Sequence, residues 1–151
     1  MGCGVGRNLA YLDSGSIGVD HNEASVAVAR ARGLDAMTVS ELFSSDDVTE
    51  GSFDAILVAH VLEHMPREAA LDLLGRYLPY LRSGGRVFLV CPQERGYASD
   101  PTHESFLTGA EMVALARAAG LRAERWRSFP LPRAAGKVFT YNEINVMATK
   151  P

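Results

Sequence analysis

The feature that most constrains this chain is an apolar run of strand length, FDAILVAH at residues 53–60, set between helical patterns. A continuous run of this kind, without alternating polar positions, is the signature of a parallel strand covered on both faces. The helical stretch REAALDLLGRYLPYL follows Pro66, a residue suited to a first helical turn. A turn, RSGG, leads to a second buried run, RVFLVC. The same rhythm holds upstream: VGRNLAYL reads as a short helix, SIGVD as a strand ending in an acid, EASVAVARARG as a helix stopping at Gly33, and LDAMTV as a strand. SELFSSDDVTEGS reads as a polar loop with about one helical turn.

Downstream, PQERGYASDPTHES is a loop long enough to suggest function. TGAEMVALARAAG is a helix, with Thr108 and Glu111 spaced as a capping box. Two further strands, LRAERWRSF and EINVMATKP, have no helix between them, so one of the pair is expected to run antiparallel. Strand and helix in alternation predict an α/β fold, a doubly wound and mostly parallel sheet, in one domain spanning 1–151.

Composition narrows the function classes. Fifteen basic residues stand against 18 acidic ones, for a net charge of −3. The arginines of LRAERWRSFPLPR are mixed with acidic and apolar residues, so no phosphate-neutralising face is expected and nucleic acid is not an expected partner. No run reaches the ~18 apolar residues of a membrane span, and the opening lacks the charge pattern of a secretory leader. Cys3 and Cys91 stand apart, as neither a disulfide framework nor a metal-ligand spacing, which predicts a reducing cytoplasm.

The chain opens MGCGVGRNLAYLDSGSIGVDHN. Gly2, Gly4 and Gly6 remove β-carbons from a turn that a ligand can approach closely. A helix beginning near Val5 would aim free N–H groups at the same place. Asp20 lies eighteen positions after Gly2, at the end of a strand, where a carboxylate accepts two hydrogen bonds from ribose hydroxyls. A nucleoside-containing cofactor is the expected ligand. A dinucleotide fingerprint would carry its third glycine where Arg7 stands, which disfavours a nicotinamide-dependent oxidoreductase, and no Walker lysine follows the turn.

Taken together, GCGVGRNLAYL, IGVDHN, FDAILVAHVLEHM and YLRSGGRVFLVCP resemble the class I S-adenosylmethionine-dependent methyltransferases over nearly the whole chain. The resemblance implies a Rossmann-like sheet of strand order 3-2-1-4-5-7-6 with strand 7 antiparallel. It further implies S-adenosyl-L-methionine as cofactor and methyl transfer to an acceptor that is expected to be a small molecule. A non-catalytic methyltransferase-like domain acting as an interaction module is the alternative. By resemblance, Gly2, Gly4 and Gly6 line the methionine moiety and Asp20 binds the ribose. His21 and Asn22 lie against the adenine, or the segment simply starts a helix with Asn22 as N-cap. Glu41 is the acid nearest the family's adenine-binding position, and Ala59 and His60 end the strand that faces the cofactor.

His64 and His103 are candidate general bases, or else hydrogen-bonded structural histidines. His60 and His64 straddle an acid with no third ligand in view, so no metal is expected. In the family a central strand precedes the first glycine. Here Met1 stands in the single position before it, so strand 1 is expected to be missing or incomplete and the domain N-terminally truncated. Unpaired edges on its neighbours would then favour self-association.

Overall fold

The computed structural model describes all residues, Met1–Pro151, which divide into two compact units, Met1–Thr49 and Glu50–Pro151. The first contains β1 (Gly18–Asp20), α1 (Glu23–Ala31), β2 (Ala36–Thr38) and α2 (Val39–Ser44). β1 and β2 pair in parallel, with Gly18 opposite Ala36 and Asp20 opposite Thr38. Val26 and Ala29, one helical turn apart on α1, are buried with Leu9 and Ala36, and Leu34 packs against them. The Asn22 side chain caps α1 by accepting from Ser25 N at 3.1 Å. Gly33, at φ 76°, lets the chain turn away while Leu34 N donates back to Ala29 O.

One local expectation changes here. VGRNLAYL forms turns and a single 3-10 element, Leu9–Tyr11, and no α-helix. Leu9 is its only buried large side chain and Tyr11 is exposed, so no apolar stripe offsets the cost of nucleating a short helix. The stretch read as a polar loop with about one helical turn contains α2, six residues long. Thr38 accepts from Glu41 N at 3.1 Å and Glu41 accepts from Thr38 N at 2.6 Å, a capping box that starts the helix.

The second unit contains β3 (Phe53–Ala59), α3 (Arg67–Tyr77), β4 (Leu81–Pro92), α4 (Glu94–Tyr97), α5 (Gly109–Ala118), β5 (Arg122–Phe129) and β6 (Glu143–Thr149). Its sheet has the order β3-β4-β6-β5. β3 and β4 are parallel, and β6 runs antiparallel to both β4 and β5. Alternation sets the core: Val87, Leu89 and Cys91 of β4 and Ile144, Val146 and Ala148 of β6 are all buried. The orders β1-β2 and β3-β4-β6-β5 correspond to strands 2-3 and 4-5-7-6 of the expected sheet, with β6 as its antiparallel member. No residue before Gly18 lies in a strand, although Cys3 N donates to Val19 O at 3.1 Å.

β3 is an edge strand of this sheet, and Asp54 and Ala55 are exposed. Its apolar run is fully buried only at Val58, because β4 alone pairs with it. The expected RSGG turn lies inside β4 as a bulge: Phe53 faces Leu81 but Ala55 faces Arg86, with Gly84 at φ 74°. PQERGYASDPTHES is not all loop, since α4 occupies its first part. No helix is long and apolar enough to cross a membrane.

α5 begins as the sequence predicts. Thr108 accepts from Glu111 N, and Glu111 accepts from Thr108 N at 2.8 Å. Replacing Thr108 by alanine is expected to lower stability by about 1 kcal/mol, read as an earlier urea midpoint with an unchanged slope.

Candidate functional site

In the first unit, the glycine turn and Asp20 meet. Gly2, Gly4 and Gly6 have φ of 62°, 51° and 81°, a region that side-chain-bearing residues rarely adopt. A β-carbon on Gly4 would meet nothing within 4 Å, so open space lies beside that backbone. One on Gly6 would lie 2.3 Å from Leu34 Cδ1, so Gly6 also answers a packing need. Gly4 N donates to Asp20 Oδ2 at 2.7 Å and Asn22 N donates to Oδ1 at 2.9 Å. Two charge-assisted bonds fix a carboxylate that is only 8% exposed. Each of its oxygens has taken one donor and keeps a further lone pair. Burial, with the Asp20 charge second, pushes the nearby Cys3 thiol up from its ordinary pKa.

His21 is 90% exposed, with Nδ1 3.5 Å from Asp20 Oδ1. Glu41 is engaged elsewhere: its Oε2 accepts from Thr38 N and, at 2.8 Å, from Arg30. Those two contacts, the backbone one first, hold its carboxyl below the usual range. The helix expected to aim N–H groups at a ligand is absent, and in the turn that stands in its place Gly4 N and Gly6 N are bonded within the protein. A ribose-bearing cofactor suits this donor set, which offers paired acceptor positions on one fixed carboxylate beside an uncrowded backbone.

In the second unit, Ala59 ends β3 and His60 follows at φ 56°, the one residue other than glycine with positive φ. Such a backbone is strained and is held by its surroundings. His60 N donates to Val90 O at 3.0 Å, and its ring bridges two carboxylates: Nε2 to Glu143 at 2.8 Å and Nδ1 to Glu63 at 3.2 Å. These bonds outweigh burial and push the imidazolium pKa up to about 9.

Glu63 is 1% exposed and stands in a 3-10 turn with His64. Its carbonyl accepts from Glu104 N at 2.8 Å and Ser105 N at 3.0 Å, which ties the long loop to the turn. The loop brings His103 to Glu63, with Nε2 3.9 Å from Oε1. His103 Nδ1 donates to Tyr97 O at 2.7 Å, and its ring stacks on Tyr97. His64 Nδ1 turns to Thr102, 3.3 Å from its carbonyl oxygen and 3.2 Å from Oγ1. Burial, and then the Glu63 charge, push the Cys91 thiol far up, so it stays protonated.

The two histidines offered as bases thus lie together, their ring centroids 4.7 Å apart. His60 lies against Glu63 and Glu143. Sequence reasoning passes over Glu143, Tyr97 and Thr102. Glu63 is signalled only by its place in HVLEH, and nothing near Glu143 marks it as a partner of His60.

The strand orders are those of a doubly wound α/β fold, with the glycine turn and Asp20 meeting at the end of a strand. A family model described as a methyltransferase domain matches residues 1–89, more than half of the chain, and the chain belongs to that family. It is an S-adenosylmethionine-dependent methyltransferase, with S-adenosylmethionine as its cofactor. Among solved structures, a SAM-dependent methyltransferase from Archaeoglobus fulgidus is similar at a TM-score of 0.76 and 16% identity, covering 99% of this chain and 83% of that one. A SAM-dependent methyltransferase from Methanosarcina mazei has a TM-score of 0.70 and 19% identity, covering 99% and 89%. The 1,6-didemethyltoxoflavin-N1-methyltransferase of Burkholderia thailandensis, solved with 1,6-didemethyltoxoflavin and S-adenosylhomocysteine, has a TM-score of 0.68 and 24% identity, covering 99% and 68%. At these identities the likeness is one of fold. No curated protein matches the chain.

Proposed function

We propose that this methyltransferase acts on a small-molecule acceptor and that Asp20 with the Gly2–Gly6 turn holds the nucleoside end of its cofactor. The carrying observation is the Asp20 carboxylate, fixed by Gly4 N and Asn22 N with acceptor positions to spare. The ribose hydroxyls would donate to those positions, and the bare backbone at Gly4 would let the methionine moiety approach. His21, exposed beside Asp20, would cover the adenine from the solvent side.

When bound, S-adenosylmethionine supplies a methyl group already activated by its sulfonium. The protein's task is then to hold the acceptor atom in line, roughly 3–3.5 Å from the methyl carbon. A general base is needed only where the acceptor keeps its proton at neutral pH. A small acceptor is favoured by the mixed charge of the chain, and the Burkholderia thailandensis neighbour is named for 1,6-didemethyltoxoflavin and was solved with it bound.

Calorimetric titration of the chain with S-adenosylhomocysteine tests the cofactor half of this reading. Saturable binding at one site per chain is expected, and NADH should give none. A chain folded by circular dichroism that binds NADH and ignores S-adenosylhomocysteine would overturn it. The acceptor half is tested by mass spectrometry of small amines, hydroxyl compounds and thiols incubated with enzyme and cofactor, beside an RNA and a protein mixture. Methylation confined to the macromolecules would remove the small acceptor.

A further inference from the structure

We propose that Glu63, His64 and His103 form a binding site for a divalent transition-metal ion, with zinc the best match. One ligand atom from each lies within 4.8 Å of the others. The sequence shows an acid and a histidine side by side, and the third donor comes from a loop forty positions away.

The hydrogen-bond pattern fixes which atoms face the ion. Tyr97 O and Thr102 O are carbonyl oxygens and can only accept, so both imidazoles carry their proton on Nδ1. The Nε2 atoms of His64 and His103 are therefore the lone-pair atoms, the state in which imidazole binds metals. Ligating histidines characteristically donate their other N–H to a carbonyl or carboxylate, which sets ring orientation and basicity. His103 does so directly. His64 does so through Thr102, whose Oγ1 donates in turn to Asp100 Oδ1 at 2.7 Å.

Glu63 supplies the independent observation. Its Oε2 is buried and has no hydrogen-bond partner. An orphaned oxygen on a buried carboxylate costs stability unless a positive partner meets it. His60 engages Oε1, and the Cys91 thiol, a hydrogen-bonding neighbour of the carboxylate, stays neutral and brings it no positive charge. His103 Nε2 lies 3.9 Å from Oε1 of the same carboxylate, and a cation held by that carboxylate and the two Nε2 atoms would supply its missing positive partner.

Two histidines and a glutamate with room for a further ligand is a donor set that zinc adopts, and iron(II) also uses two histidines and one carboxylate. Metal–ligand bonds of about 2.0–2.2 Å in a tetrahedron set ligand atoms about 3.4 Å apart, so the three side chains would draw in from separations of up to 4.8 Å. The backbone is already braced for this by the Glu104 N and Ser105 N bonds to Glu63 O. The site rests on residues of the second unit alone and does not depend on the methyl-transfer reading.

The test uses the full chain, free of any affinity tag and stripped with EDTA, titrated with zinc chloride by calorimetry and with cobalt(II) by visible absorption. One ion per chain is expected, with cobalt bands characteristic of nitrogen and oxygen ligation. His103→Ala and Glu63→Gln should each weaken zinc binding about 100-fold or more. Thr102→Val should weaken it by about 10-fold through the orientation of His64. His21→Ala, which alters an exposed histidine outside the site, should bind as the parent does. If either buried-site variant fails to fold by circular dichroism, His64→Ala decides in its place. A folded parent that takes up no zinc, or uptake unchanged by these substitutions, would overturn the proposal.

Discussion

Replacing Asp20 by alanine is expected to weaken S-adenosylhomocysteine binding at least ~100-fold while leaving the second unit folded. The Asp20 carboxylate is proposed to accept from two ribose hydroxyls, and hydrogen bonds to a charged group contribute about 1.5–3 kcal/mol each. Two of them give roughly 3 kcal/mol or more, and each 1.4 kcal/mol is tenfold in affinity. The alanine also removes the acceptor for Gly4 N and Asn22 N, so the turn itself loosens. Asp20→Asn separates the two effects. Its remaining oxygen can keep one backbone donor, so the turn should hold, while the paired acceptor function is lost. Calorimetry on both variants, with circular dichroism beside it, reads the result. Undiminished affinity in Asp20→Ala would move the ribose to another residue and withdraw Asp20 from the site.

The second large effect is one of stability. Asn142→Ala is expected to lower the melting temperature by about 6–12 °C. Asn142 is fully buried and joins the chain around the start of β6. Its Oδ1 accepts from Leu131 N at 2.8 Å, and its Nδ2 faces Ser128 Oγ, Pro132 O and Gln93 Oε1. Gln93, also buried, donates to Ser128 Oγ and to Glu143 O. Truncation leaves buried polar groups unpaired at about 1–3 kcal/mol each, and a net loss near 3 kcal/mol corresponds to that shift at roughly 2–4 °C per kcal/mol for a chain of this size. Asn142→Asp keeps the acceptor for Leu131 N but sets a buried carboxylate oxygen against Pro132 O and Gln93 Oε1, and should melt at least as early as the alanine variant. Thermal melts that superimpose for parent and Asn142→Ala would show that the network carries no net stability.

Much of the fold was legible because its determinants are local. Thr108 and Glu111 are three residues apart, and their capping box can be read directly from that spacing. Asn22, read both as a helix cap and as a neighbour of the adenine site, is a cap in the structure. The absence of a helix between the last two strand runs pointed correctly to an antiparallel member. Where reading failed locally, competing terms decided. VGRNLAYL has helical spacing but buries too little, whereas the helical turn expected in SELFSS forms on the Thr38–Glu41 cap.

The candidate site was legible only in part. The Gly4–Asp20 contact follows from the spacing of a glycine turn and the acid at the end of the next strand. The cluster around Glu63 does not, because its members come from distant segments. Glu143 is 83 positions from His60, and no local pattern announces their pairing. Glu41 shows the converse: an acid at a plausible position whose hydrogen bonds are taken up by Thr38 and Arg30.

The two amides that share the Glu63 carbonyl divide the loop after α4 into an arm, whose far end is tied to His64 through Thr102, and a fixed foot. Residues 98–102 form the arm, and residues 104–105 form the foot. Length can therefore be added to the arm ahead of Asp100, over evolutionary time or by design, without shifting His103 along the chain relative to Glu63. A single residue inserted between His103 and Glu104 would instead push the histidine out of register. Variation in this enzyme's loop is thus channelled to one side of His103, where it can alter what the loop meets while the cluster beneath keeps its spacing.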